Sequence, residues 1–138
     1  MNNATRVNLL KTASAITIGF GLLIAAAAVP AAQAPMAFLL DLIYFPVDGG
    51  QSLTGDGIRV LSAVSGGVMA GWGVMLWLVA SEVYTTNPEL GRKLILASIG
   101  TWFVVDSTMS VMAGAPLNAL FNVGFLVLFV VPVLKPAS

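Results

Sequence analysis

Residues 102–132 read "WFVVDSTMSVMAGAPLNALFNVGFLVLFVVP". Two apolar runs are joined by the short segment "GAPL" at 114–117, and an aspartate, Asp106, stands within the first run. A connection this short folds the runs back on each other as an antiparallel helical hairpin. Counting about 1.5 Å per residue from a turn centred near Ala115 puts Asp106 about 13–14 Å down one arm and Asn122 about 10–11 Å down the other. Ser110 and Asn118 match in depth closer to the turn. Asp106 and Ser110 share one helical face, as do Asn118 and Asn122, because residues four apart are neighbours on a helix. A carboxylate in hydrocarbon costs about 2.5–3.5 kcal/mol on insertion scales. The two polar ladders are therefore expected to face each other, with Ser107 and Thr108 free to bond back to their own helix.

Composition makes lipid the natural solvent. Of 138 residues, 58% are hydrophobic and 9% charged, against about 25% charged in soluble domains; mean hydropathy is +0.95. One integral membrane domain is expected over 1–138. Its fold class is all-α, a four-transmembrane-helix antiparallel bundle, with spans at about 12–30, 58–80, 88–113 and 117–134. Spans of this length in lipid must satisfy their backbone internally, which selects helices.

The first span has a rival reading as a signal peptide. Arg6 and Lys11 precede the apolar core, and "AAQA" at 31–34 offers small residues for cleavage. Pro35 directly after that cut and the length of the apolar run favour a retained helix. With the N-terminus inside, Arg6, Lys11, Arg92, Lys93 and Lys135 are cytoplasmic and only Arg59 lies outside. This matches the positive-inside rule for a bacterial inner-membrane protein with both termini cytoplasmic.

Between the first two spans, "PMAFLLDLIYFP" is too short to cross and begins and ends on proline. It reads as a short interfacial helix at about 35–45, with Phe38, Leu42 and Phe45 on one face. "VDGGQSLTGDGI" reads as turns; Asp48, Ser52, Thr54 and Asp56 do not match a Ca²⁺-loop spacing, so no metal is expected. On the inner side, Asn87-Pro88 signals a helix start, and Trp77 and Tyr84 are expected to bracket the interface.

Ala63, Gly67 and Gly71 recur at four-residue spacing in the second span, with Ser62, Gly66 and Ala70 beside them and Ala15 and Gly19 in the first. Such small residues let helices approach closely, within the chain or between copies. Trp72 and Trp102 sit at mid-span. They either fill space beside glycines or wall an apolar pocket for a lipid tail or flat ligand.

The residues Asp106, Ser110, Gly114, Pro116, Asn118 and Asn122 give the chain a resemblance to small four-helix bacterial inner-membrane proteins, similar in size and layout to DoxX-type bundles. The resemblance implies a fold and no reaction. DoxX-type proteins are linked to redox or respiratory assemblies, yet cysteine and histidine are both absent here. That absence removes disulfides, thiol redox chemistry, His-ligated haem, Cys/His zinc sites and His-based triads. Balanced charge, six basic and six acidic residues, gives no basis for nucleic-acid binding.

The expected function is a non-enzymatic accessory or scaffold subunit, or a binder of lipid or an apolar ligand. It works without cofactor, and its partners are the lipid bilayer and a membrane protein or a second copy. Asp106, Ser110, Asn118 and Asn122 form its intramembrane polar cluster, with Arg59 as a counter-charge. The alternative is a small proton-coupled transporter or channel component using Asp106; a membrane enzyme is the weakest reading.

Overall fold

The structure, a computed structural model, describes residues 1–134. It is all-α, with four long helices and one short helix between the first two. The long helices are α1 (Asn3–Ala26), α3 (Asp56–Leu78), α5 (Pro88–Met112) and α6 (Pro116–Val133); α2 (Ala34–Tyr44) is the short one. Helix α3 runs on through a π-helical turn, Val79–Val83, into α4 (Tyr84–Thr86). All four long helices have the length and apolar composition to cross a membrane. Large apolar side chains such as Val68, Val104 and Leu120 point outward, as a bilayer solvent requires.

Each boundary has a local cause. Helix α1 begins well before residue 12 because Asn2 Oδ1 accepts from the Thr5 amide at 2.8 Å, an N-cap lying ahead of the apolar run. It stops at Ala26, short of residue 30, where three successive amides, Ala27 to Val29, bond three residues back and tighten the chain before Pro30. Asn87 caps α5 through its Oδ1 and the Leu90 amide, with Pro88 at the first helical position. Helix α5 ends in a Schellman turn: the Ala115 amide reaches the Ser110 carbonyl and the Gly114 amide reaches Val111. Gly114 has φ of 80°, a conformation that a side chain disfavours. Helix α6 restarts on Pro116 at once, so α5 and α6 form a tight hairpin.

The chain divides into two compact units, Met1–Ile16 with Val74–Ser138 (described through Leu134), and Thr17–Gly73. In the first, Leu10, Ala13, Leu76, Ala80, Ile95, Ile99, Phe129 and Val133 make the core. Tyr84 is expected at the inner interface but is buried, with 1% exposure. Gly91 makes the room: a Cβ there would stand 2.7 Å from the Tyr84 Cα. The Lys11 ammonium lies 4.6 Å from the centre of the Trp77 ring. At the C-terminal end of α6, Arg6 Nη1 donates to the Pro132 carbonyl at 3.3 Å and Arg92 Nε to the Val133 carbonyl at 2.8 Å. These are carbonyls that a helix end leaves without partners, and cations suit the negative end of its dipole. Lys135, counted in the charge balance, lies outside the described residues.

In the second unit, α1 and α3 meet through glycine. A Cβ on Gly21 would stand 2.8 Å from the Gly66 carbonyl oxygen, and one on Gly66 2.6 Å from the Ala25 Cα. The close approach therefore runs along Ser62, Gly66 and Ala70 of α3 and Gly21 and Ala25 of α1. Ala63, Gly67 and Gly71 are exposed, and a Cβ on either glycine would meet nothing within 4 Å. Ala15 and Gly19 are exposed too. The packing stripe is thus one residue from the expected one, a rotation of about 100° around the helix.

Candidate functional site: a polar network in the α5–α6 hairpin

Helix α5 buries Gly91, Ile95 and Ile99. Asp106 lies two turns beyond Ile99 and Ser110 three, so both continue that protein-facing stripe. From α6, Asn118 and Asn122 project toward them, and Asn122 is 6% exposed.

Three donors converge on one carboxyl oxygen. Asp106 Oδ1 accepts from Asn122 Nδ2 at 2.6 Å, Asn118 Nδ2 at 3.0 Å and Ser110 Oγ at 3.2 Å. Each asparagine amide also spends a second contact inside the hairpin, Asn118 on Ser110 Oγ at 2.8 Å and Asn122 on Ser107 Oγ at 3.2 Å. Only the nitrogen side of an asparagine can face a carboxylate oxygen, which fixes both amide orientations. The structure thus brings together Asp106, Ser110, Asn118 and Asn122, and adds Ser107.

Arg59 is engaged differently from its expected role as counter-charge. Its Nε donates to the Ala28 carbonyl at 3.2 Å and its Nη1 lies 3.4 Å from Asp56 Oδ1. Asp56 is one helical turn away in sequence and meets the guanidinium first.

Trp102 packs against Phe125 across the hairpin, with ring centres 5.9 Å apart and planes inclined by 60°. This tilted geometry suits two aromatic quadrupoles. Trp72 belongs to the second unit and Trp102 to the first.

A second polar arrangement orders the connection after α2. Asp41 is 6% exposed, and its two oxygens accept from the Gly49 amide at 3.0 Å and the Gln51 amide at 3.1 Å. Gln33 Nε2 donates to the carbonyls of Ala27 and Leu53 at 3.0 and 3.1 Å. The glycine-rich segment is thereby clamped to α2. A lone acid in the apolar run "AFLLDLIY" was the available signal for it. Asp48 and Ser52 make local bonds, to the Gly50 amide and to Thr54. Among the described residues, no group of three or more His, Cys, Asp or Glu side chains is placed to hold a metal ion.

This is a multi-pass membrane protein with four candidate spans. No protein-family model, curated protein or solved structure matches the chain.

Proposed function

We propose that the chain is a non-enzymatic integral membrane protein, an accessory or scaffold subunit that holds a lipid or apolar ligand against its α5–α6 hairpin. The observation carrying this reading is the convergence of three donors from one hairpin on Asp106 Oδ1. Such a network fixes two helices against each other and contains no second titratable group to relay a proton or share acid–base work. The membrane is the bacterial inner membrane and both termini are cytoplasmic, by the five-to-one distribution of basic residues. Because the chain has no cysteine, single cysteines are clean reporters. One introduced at Gln51 should label from outside, and one at Thr86 only after permeabilisation.

The test of function is detergent-free extraction into native nanodiscs followed by mass spectrometry. A stoichiometric protein partner or retained lipid is expected. A protein without either overturns the proposal.

A second reading is a proton-coupled carrier, favoured by Asp106 being the only acid in the hairpin's apolar stretch. Proton flux in liposomes that vanishes in Asp106→Asn would establish it in place of the first.

A further inference from the structure

Helix α2 is inside out. Its eleven residues, "APMAFLLDLIY", include one charged side chain, Asp41, and Asp41 is the only buried residue of the helix. The ten others are half-buried or exposed on every side, with Phe38 54% and Tyr44 40% exposed, and Phe45 directly after them 70%. In water this arrangement would hide the charge and display the apolar surface, against the hydrophobic effect. In hydrocarbon it is the favourable one. Each apolar side chain then meets its like, and the carboxylate is enclosed by the Gly49 and Gln51 amides. The helix is also held at the level of the neighbouring span ends. Gln33, just before it, donates to the carbonyls of Ala27, directly after α1, and Leu53, three residues before α3. Arg59, in the first turn of α3, reaches the Ala28 carbonyl at that same level.

We infer that α2 is sunk among the acyl chains of the leaflet at this end of the spans, with Asp41 turned toward the segment 47–53 and the rest of its circumference in contact with lipid. The partner is hydrocarbon and not a protein face: a docked helix would cover one side, whereas α2 keeps exposure all round. Anionic head groups are not the attraction either, since no basic residue occurs between Lys11 and Arg59. Eleven residues make a helix about 16–17 Å long, too short to cross. Helix α2 therefore takes up area in one leaflet only. This surface belongs to the second unit and is independent of the α5–α6 hairpin, which lies in the first, and of the ligand proposed there.

The test is spin labelling of single cysteines in the full chain, reconstituted in phosphatidylcholine vesicles; there is no native cysteine to remove first. Labels at Phe38, Ile43 and Phe45 are compared with one at Val68, an outward-pointing residue within α3, and one at Ser52, exposed in the polar segment. Power saturation with oxygen and with a polar nickel chelate reads the surroundings of each label. At the three α2 sites, as at Val68, the ratio of oxygen to chelate accessibility should exceed that at Ser52 by about tenfold, because the chelate partitions poorly into hydrocarbon. Chelate access at Phe38 and Phe45 equal to that at Ser52 places α2 in water and overturns the inference. Low access to both reagents means that protein covers these sites, a second copy or another chain, and overturns it too. In the unaltered chain, a lipid-soluble diazirine should label residues 36–45 on photolysis. Absence of label there overturns the inference whatever the cysteine variants do.

Discussion

Asn122 reaches across the hairpin to Asp106 at 2.6 Å, the shortest of the polar contacts joining α5 to α6. Asn122 is also the more buried of the two asparagines. Asn122→Ala should therefore destabilise the protein more than Asn118→Ala, by about 1–2 kcal/mol against about 0.6–1 kcal/mol. Unfolding measured in bicelles or nanodiscs checks the order. A double-mutant cycle with Asp106→Asn should show non-additivity for both, since all three share one oxygen.

The α1–α3 contact makes a sharper distinction between neighbours. Gly66→Val places atoms where the α1 backbone already lies, and should cost about 1–3 kcal/mol or more. Gly67→Val, one residue on, meets open space and should stay within about 0.5 kcal/mol of the parent. Thermal unfolding of the two variants in the same lipid reads the difference.

Removing the Asp41 carboxylate should release the segment it clamps. Asp41→Ala leaves the Gly49 and Gln51 amides without their acceptor. Hydrogen exchange at residues 47–52 should rise by an order of magnitude or more, at a stability cost of about 1–3 kcal/mol. Exchange within α5 and α6 serves as the internal control.

At the C-terminal end of α6, Arg92→Met should free the Val133 carbonyl while keeping the apolar stem of the side chain. The last turn of α6 should then fray, read as faster exchange there and a loss of about 1.5–3 kcal/mol. Arg92→Lys should recover only part of this, because a lysine lacks the Nε donor that the contact uses.

The features legible in the sequence were those with local causes. Asn87-Pro88 and the Gly114-Ala115-Pro116 turn carry their geometry in adjacent residues, so α5, α6 and the depth of Asp106 relative to Asn122 followed directly. The glycine stripe was harder, because Ser62-Gly66-Ala70 and Ala63-Gly67-Gly71 are equally small. The choice between them lies with Gly21 and Ala25 on another helix. Asp41 and the two arginines escaped because their partners are backbone amides and carbonyls, which every residue has and no side-chain pattern marks. Tyr84 escaped because burial followed from a glycine on the next helix, where an aromatic near a span end ordinarily anchors in head groups.

Arg6 and Pro132, whose contact ties α1 to the C-terminal end of α6, are separated by 126 positions in the chain. During synthesis the guanidinium is therefore made 126 residues ahead of this acceptor. Until Pro132 is made, a guanidinium destined for burial has only local acceptors such as the Met1 carbonyl and stays hydrated at the membrane edge. Final docking of α1 against α6 thus waits for the helix that carries Pro132.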